Sequence, residues 1–203
     1  MIRNLLFDLG GVLADLDRER CMAAFAQIGL PQLGQLVDPY YPSAIFNDLE
    51  RGIIGKQEIL DYARTFSPQA DLERIEWAYF QLIGEIPAYK LDLLRDLRSR
   101  FKVYMLSNTN VMVYPSMLEK QFRSRGLTVD AYFDKVYLSY EMKLLKPDPA
   151  IFEAVLADAG IEARETLFID DGTRNIETAR AMGFRTYQAA AHEDFRHLFA
   201  GLE

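Results

Sequence analysis

The sequence has little of what several common classes of protein require. Its 203 residues include one cysteine, Cys21, and two histidines. A single cysteine allows no internal disulfide and no zinc site built from cysteines, and we interpret it as a small buried hydrophobic residue. Basic charge is also scarce, because 23 lysines and arginines stand against 30 acidic residues and leave a formal net charge of −7. This balance argues against a nucleic-acid partner, since proteins that bind nucleic acid usually carry a basic face.

A long hydrophobic run is missing at the amino terminus. The chain reaches Asp8 after a short apolar stretch, which is too short and too soon interrupted by charge for a secretory signal or a membrane span. We therefore expect a cytoplasmic protein without a membrane partner. The acidic composition also means that a site for an anionic substrate has to be built locally, from a metal ion, a lysine and backbone amides.

The pattern that is present is typical of an α/β protein. A first strand is expected at residues 2–7, and apolar runs alternate with helical periodicity in residues 88–203. Such alternation predicts a doubly wound parallel sheet. Residues 15–87 show helical patterns alone. We therefore predict a Rossmann-like core formed by residues 1–14 and 88–203, an inserted helical cap domain at residues 15–87, and a monomer or weak homodimer.

Polar residues follow three of the predicted strands. The apolar run LLF leads to Asp8, VYML leads to Ser107 and Asn108, and LFI leads to Asp170 and Asp171. Ligands of an open parallel sheet bind beyond the carboxyl ends of its strands, so we expect these side chains to meet although they are far apart in sequence. A turn or a helix cap explains any one of them alone. A shared site explains why all of them stand at strand ends.

A lysine completes the predicted site. Lys146 follows the strand predicted at residues 135–138 and is expected to reach the same edge from a loop. The carboxylates of Asp8, Asp170 and Asp171 are the hard oxygen ligands that Mg²⁺ prefers, and crowded carboxylates repel unless a cation lies between them. A metal ion, a lysine and backbone amides around one carboxylate are suited to holding a phosphoryl group. We therefore predict a phosphatase in which Asp8 attacks phosphorus and forms an aspartyl-phosphate that water hydrolyses.

Four segments of the chain carry a family resemblance. FDLGGVL, LSNTN, KPDPAIF and FIDDGTRNI resemble, in this order, the four motifs of the haloacid dehalogenase superfamily. The resemblance spans almost the whole chain, and the helical insertion lies where that family has its type 1 cap. The roles that it implies are nucleophile for Asp8, phosphate binding for Ser107 and Asn108, charge balance for Lys146, and magnesium coordination for Asp8, the carbonyl of Gly10, Asp170 and Asp171.

One position departs from most phosphatases of that superfamily. They have a second aspartate two residues after the nucleophile, which acts as general acid and base, whereas this chain has Gly10. General acid catalysis typically contributes about 10²–10⁴ in rate, so its loss affects poor leaving groups most. Sugar 1-phosphates have better leaving groups than simple alkyl phosphates. The sequence also resembles the bacterial α-D-glucose-1-phosphate phosphatase-like subgroup, so we expect small phosphate esters as substrates, among them sugar 1-phosphates.

Two other functions remain open at this point. A 2-haloacid dehalogenase attacks carbon and needs no metal, and the acid pair Asp170 and Asp171 argues against it. A non-catalytic phosphate-binding or regulatory protein is consistent with the missing acid at Gly10, and turnover measured with an Asp8 variant would separate it from an enzyme. A phosphorylation-receiver domain is excluded, because its acid pair precedes its phosphoacceptor along the chain.

Substrate selection is expected to lie in the predicted cap, where a single sequence gives no recognisable code. Four polar cap residues are candidates for substrate contacts, with solvated surface as the expected position of most of them: Arg18, Arg20, Asn47 and Glu50. The spacing of Trp77, Tyr79 and Phe80 is interpreted as core packing. His192 and His197 are expected in a C-terminal helix and are assigned no chemistry.

Overall fold

A parallel sheet forms the centre of the molecule. The structure, a computed structural model, describes residues 1–202. Its strands are β1 (Asn4–Phe7), β2 (Lys102–Ser107), β3 (Lys135–Leu138), β4 (Thr166–Asp170) and β5 (Arg185–Gln188). All of them pair in parallel, and their order across the sheet is β3–β2–β1–β4–β5. The α/β fold class, a doubly wound parallel sheet, is therefore confirmed.

The helices fall into two groups. Five form an insertion after β1: α1 (Arg18–Gln27), α2 (Pro31–Leu36), α3 (Ala44–Glu50), α4 (Lys56–Phe66) and α5 (Leu72–Phe80). Five others accompany the later strands: α6 (Ala88–Leu97), α7 (Glu119–Phe122), α8 (Ser139–Met142), α9 (Pro149–Ala159) and α10 (Thr173–Ala181). Among residues 1–202, no helix has the length and apolar character needed to cross a membrane.

The central strand β1 explains why the sequence begins with an unbroken apolar run. Leu5, Leu6 and Phe7 are fully buried, because β1 is paired with β2 on one side and with β4 on the other. Leu5 and Phe7 pack into the hydrophobic cluster on one face of the sheet, and Leu6 packs into the cluster on the other face. Because both faces of the strand are covered, no residue of the apolar run faces solvent, and the run needs no alternating polar residues.

Two neighbouring linkers join the helical insertion to the sheet. Leu16, before α1, forms an antiparallel bridge with Ile83, after α5. The amide of Asp17 donates to the Leu82 carbonyl at 2.7 Å, and the amide of Gly84 donates to the Asp15 carbonyl at 2.8 Å. The chain therefore leaves the core and returns to it at one place, as an inserted cap requires. The division at residues 15–87 stays our proposal.

Several expected elements differ in detail from those observed. Residues 113–124, whose pattern predicts one helix, instead contribute to a π-helical turn (Tyr114–Leu118), α7 and a 3₁₀ turn (Arg123–Arg125). Pro115, which has no amide hydrogen to donate, lies in the first of these turns. The short helix α2 was not predicted, because it has only six residues and too few turns to show a period.

The predicted C-terminal helix is also wrong in part. His197 lies in a 3₁₀ helix (Phe195–Phe199), whereas His192 precedes it with a left-handed φ of 59°. That conformation does not continue a right-handed helix. The Nδ1 atom of His192 lies 2.8 Å from a carboxylate oxygen of Asp15 in the first linker.

Candidate active site

The carboxyl ends of three adjacent strands bring the predicted side chains together. In the sheet, Phe7 pairs with Met105 of β2 and with Ile169 of β4. This register places Asp8, which follows β1, at the same level as the ends of β2 and β4. Asp8, Ser107 and Asp170 are all buried at this edge. These three residues, which are separated by up to 162 positions in the chain, thus lie together at one edge of the sheet.

Lys146 joins two of the acids. Its ammonium group lies 2.8 Å from Oδ1 of Asp8 and 2.7 Å from Oδ2 of Asp170. It also donates to the carbonyl of Leu106 at 3.0 Å. These three acceptors use all three hydrogens of the ammonium group, and the lysine side chain is only 1% exposed. Lys146 is therefore fixed in position and cannot swing out to solvent without removing the cation that the two carboxylates share.

The other oxygens of the acid pair are held differently. Oδ1 of Asp170 accepts from the amide of Gly172 at 2.7 Å and from Nδ2 of Asn175 at 2.9 Å, so this carboxylate is fully oriented. Asp171 is more open, and its Oδ2 accepts a hydrogen bond of 2.9 Å from the hydroxyl of Tyr40. Tyr40 comes from the loop before α3, so the helical insertion reaches the acidic cluster directly.

Asn108 holds the backbone of Lys146. Its Nδ2 donates to the Lys146 carbonyl at 2.9 Å, and its Oδ1 accepts from the Lys146 amide at 2.9 Å. This reciprocal pair fixes the loop that carries the lysine, a role that its position beside Ser107 did not indicate. The hydroxyl of Ser107 makes one long contact of 3.4 Å to the Asn108 carbonyl. Most of the hydrogen-bonding capacity of Ser107 is therefore available to a ligand.

The charges of the cluster are unequal. Burial raises the pKa of Asp8 well above its usual value, and Asp170 and Asp171 add to that rise, although Lys146 opposes it. Burial and Asp170 likewise raise the pKa of Asp171. Burial alone would lower the pKa of Lys146, but Asp170 and Asp8 hold it above its ordinary range. One ammonium group thus does not balance three crowded carboxylates, which is the situation that a further cation relieves.

The donor set fits a hard divalent cation. Asp8, Asp170 and Asp171 each offer a carboxylate oxygen, and these oxygens lie within 4.8 Å of one another. Oxygen ligands alone are typical of magnesium and calcium sites. Neither histidine belongs to this group, so the chemistry of the ligands argues against zinc.

Two glycines shape the loop that follows Asp8. A Cβ atom on Gly11, whose φ is +76°, would lie 1.8 Å from Oδ2 of Asp171, so only glycine permits this approach. At Gly10, a Cβ would meet Cδ2 of Leu16 at 3.2 Å. The position two residues after Asp8 is therefore bordered by an apolar side chain from the first linker.

A cavity of about 1020 Å³ opens above the strand ends. Its floor includes Asp8, Gly10, Ser107, Asn108, Lys146 and Asp171, and its walls include side chains of the helical insertion. Of the four polar candidates from that segment, Asn47 and Glu50 line the cavity. Arg18 and Arg20 do not, because their side chains donate to backbone carbonyls of Val37, Gln35, Gln81 and Ile83.

Several cavity residues of the insertion were not predicted as site residues. Tyr40 and Arg51 line the cavity, as does Tyr79, which was interpreted as core packing. Tyr79 is indeed buried and stacks on Phe46 with ring centroids 5.3 Å apart. Its hydroxyl nevertheless accepts from Nδ2 of Asn110 at 3.3 Å and borders the cavity. No local sequence signal marks such residues, since their position depends on how the insertion packs over the sheet.

Comparison with known proteins identifies the family. The sequence profile of the haloacid dehalogenase-like hydrolases matches residues 2–183. This chain belongs to that family, and the resemblance inferred from its four motifs is confirmed. The narrower likeness to the α-D-glucose-1-phosphate phosphatase-like subgroup stays a prediction.

Individual relatives cover almost the whole chain. A D-ribitol-5-phosphate phosphatase of Bacteroides thetaiotaomicron is 36% identical over 197 residues, which are 97% of this chain and 96% of the relative. A crystal structure of a HAD family enzyme from Bacteroides thetaiotaomicron, an aspartate-to-alanine mutant in complex with magnesium and inorganic phosphate, superimposes with a TM-score of 0.94. The two sequences are 43% identical, and the superposition covers 98% of this chain and 99% of the chain of the related enzyme. The structure of a predicted HAD-like family hydrolase from Porphyromonas gingivalis superimposes with a TM-score of 0.90. Its sequence is 37% identical, and the superposition covers 98% of this chain and 96% of the hydrolase chain.

Proposed function

We propose that this chain is a magnesium-dependent phosphatase that hydrolyses small phosphate monoesters through an aspartyl-phosphate on Asp8. The observation that carries the proposal is the bridge made by Lys146 between Asp8 and Asp170, beside an acidic cluster that one ammonium group does not neutralise. The phosphatase activity of the relative from Bacteroides thetaiotaomicron and the magnesium and phosphate in the related crystal structure support it. Its enzyme class is that of the phosphoric monoester hydrolases.

The acidic cluster would hold the metal. Asp8, Asp170, Asp171 and the carbonyl of Gly10 are the ligands that we assign to Mg²⁺. The ion supplies charge that stabilises the phosphoryl group and lets the anionic substrate approach a carboxylate. The assignment agrees with the raised pKa values of Asp8 and Asp171, because a bound divalent cation stabilises the ionised form of both groups.

Each residue of the site has its own role in the proposed phosphoryl transfer. Lys146 orients Asp8, since it already accounts for one hydrogen bond to Oδ1, and the free oxygen of Asp8 attacks phosphorus. The bond from phosphorus to the ester oxygen breaks as the bond to Asp8 forms, and the leaving alkoxide takes its proton from a water molecule, because position 10 is a glycine. Ser107 and the backbone amide of Asn108 hold the phosphoryl oxygens. Water then attacks the aspartyl-phosphate, which releases inorganic phosphate and restores Asp8.

The alcohol part of the substrate is the finer part of the proposal. The relative that acts on D-ribitol 5-phosphate favours phosphate esters of small polyhydroxylated alcohols, which include sugars and alditols. Sugar 1-phosphates remain within this class, and the absence of an acid at Gly10 favours them because their leaving group needs less protonation. A cavity of about 1020 Å³ is large enough for either kind of ester.

Phosphate release from a panel of esters tests the proposal. The panel contains D-ribitol 5-phosphate, sugar 1-phosphates, sugar 6-phosphates, nucleotides and an activated aryl phosphate, each with Mg²⁺ and with EDTA. We expect metal-dependent release, fastest from the sugar or alditol phosphates. Release from none of them, by a folded protein with Mg²⁺ present, would contradict the proposal and favour a phosphate-binding protein. Activity on a 2-haloacid in the presence of EDTA would favour the dehalogenase instead.

A further inference from the structure

The last turn of α3 presents polar side chains to the cavity. Asn47, Glu50 and Arg51 are three and four residues apart, which places them on one face of the helix. All three are half-buried and line the cavity that also contains Asp8 and Lys146. We call these three residues the α3 wall. It is contributed by the helical insertion, whereas the phosphoryl-binding residues come from the sheet.

The backbone of the α3 wall is fixed relative to the strand ends. The hydroxyl of Ser139, which follows β3, lies 2.7 Å from the carbonyl oxygen of Glu50 and 2.9 Å from that of Thr109, and these two oxygens share its one hydrogen. The same hydroxyl oxygen accepts from the amide of Thr109 at 3.0 Å. Thr109 comes two residues after Ser107, so one serine connects Glu50 to the loop that is assigned to the phosphoryl group. Lys143 adds a second link, because its ammonium group donates to the carbonyl of Gly52 at 2.6 Å.

The side chains of the α3 wall retain unused hydrogen-bonding groups. Within residues 1–202, the Glu50 carboxyl makes no hydrogen bond and no ion pair. Arg51 donates from Nε to Oδ1 of Asn47 at 3.2 Å, which leaves its two terminal nitrogens and the Asn47 amide nitrogen without protein partners in that part of the chain. None of these groups is among the buried polar atoms without a partner, so they are open to the cavity and can bind the hydroxyl groups of a ligand there in place of water.

The surroundings of Glu50 favour the neutral acid. Burial raises the pKa of Glu50 to about 8, although Lys146 opposes the rise. Tyr79 also lines the cavity, and burial together with the charge of Glu50 raises the pKa of its hydroxyl. A protonated carboxyl offers one donor and one acceptor, which match the acceptor and donor of a hydroxyl group without placing a second negative charge near a phosphate ester.

We propose that the α3 wall binds the hydroxyl groups of the leaving alcohol, with Glu50 as the residue that selects polyhydroxylated alcohols over plain alkyl ones. This inference rests on the proposed phosphatase function and adds a specificity determinant to it. A site built to hydrogen-bond hydroxyl groups rejects an analogue that lacks them, since its own polar groups are then left unpaired. The α3 wall is not required for transfer of the phosphoryl group itself.

Two five-carbon phosphate esters test whether the α3 wall selects hydroxylated alcohols. D-Ribitol 5-phosphate and n-pentyl phosphate are both primary alkyl phosphates, and they differ in the hydroxyl groups that the α3 wall would bind. Steady-state kinetics with Mg²⁺ would compare wild type, Glu50→Leu and Glu50→Gln. Glu73→Gln is the matched control, because Glu73 is an exposed glutamate of α5 that lies outside the cavity. Circular dichroism and thermal unfolding would verify that each variant is folded.

We expect wild type and Glu73→Gln to prefer D-ribitol 5-phosphate. In Glu50→Leu, kcat/KM for that ester should fall about 10- to 100-fold, mainly through KM, while kcat/KM for n-pentyl phosphate changes less than about threefold. Glu50→Gln should keep most of the preference, because an amide also offers a donor and an acceptor. If Glu50→Leu does not fold, Asn47→Ala replaces it, with the same selective loss expected.

Other results would overturn the inference. Equal losses for both esters in Glu50→Leu would place Glu50 in phosphoryl transfer rather than in selection. No preference for the hydroxylated ester in wild type, or a loss in Glu50→Gln as large as in Glu50→Leu, would also contradict it. These outcomes differ from failure of the proposed function, in which wild type with Mg²⁺ releases phosphate from neither ester nor from the activated aryl phosphate.

Discussion

Replacing Gly11 with alanine tests whether the loop after Asp8 positions the acidic cluster. Gly11 has a φ of +76°, and a Cβ there would lie 1.8 Å from Oδ2 of Asp171, although real Cβ atoms essentially never come closer than 3.0 Å to such a neighbour. The Asp171 carboxylate must therefore be displaced by more than 1 Å, or the loop must move. Either change alters the oxygen cluster that we assign to Mg²⁺.

Two separate costs are expected in Gly11→Ala. A left-handed backbone conformation costs an alanine about 1–2 kcal/mol relative to glycine. Gly126, with a φ of +72° and no atom within 4 Å of its added Cβ, provides a control in which this cost acts alone. The difference between Gly11→Ala and Gly126→Ala in the free energy of unfolding therefore reports the displacement of Asp171, for which we expect a further ~1–3 kcal/mol, in the range of overpacked sites.

Denaturant unfolding and a magnesium titration would measure both effects. Unfolding in EDTA gives the free energies of the two variants without any contribution from the metal. The magnesium concentration that gives half-maximal activity should rise at least about tenfold in Gly11→Ala and should not change in Gly126→Ala. Equal stability losses in the two variants, together with an unchanged magnesium dependence in Gly11→Ala, would refute the role that we give to this loop.

Three other substitutions test the site. Asp8→Asn should abolish phosphate release without lowering the melting temperature, measured by thermal unfolding; a fully active variant would end the proposed mechanism. Gly10→Asp should speed hydrolysis of glycerol phosphate about 10- to 100-fold, provided that Leu16, which lies 3.2 Å from the added Cβ, can shift; an unchanged or lower kcat in a folded variant would count against it. The folded-state pKa of Glu50 is raised from 4.5 to about 8, so wild type should lose stability as pH rises through that window. Glu50→Gln should therefore be more stable than wild type at pH 9 by up to about 5 kcal/mol, since each pKa unit corresponds to about 1.4 kcal/mol, but not at pH 4.5, in urea titrations.

The sheet and the cluster of residues at its strand ends could be predicted from the sequence because strong local patterns determine them. Buried parallel strands are continuous apolar runs, and β1, β2 and β4 each end in polar residues at one edge. The parallel register then fixes which residues meet, so the convergence of Asp8 and Asp170 followed without any knowledge of the intervening chain.

Contacts that depend on the packing of distant segments could not be predicted from the sequence. The reciprocal hydrogen bonds between Asn108 and the Lys146 backbone join residues 38 positions apart, and neither residue type requires such a pair. The hydrogen bond from Tyr40 to Asp171 spans 131 positions and depends on how the insertion folds back over the sheet. Periodicity describes the faces of a helix but not which other element covers them.

The charge balance of the cavity suits its two sides to the different functions that we propose for them. At the strand ends, three carboxylates face one ammonium group, and this excess of negative charge attracts a divalent cation and only then an anionic ester. Such a site handles the phosphoryl group, which is the same in every substrate. The α3 wall offers hydrogen bonds around a carboxyl whose pKa is raised to about 8, and these groups can distinguish one alcohol from another without disturbing the charges that bind the metal. A substitution in the α3 wall should therefore change which ester is preferred, whereas a substitution at the strand ends should change metal dependence for every ester alike.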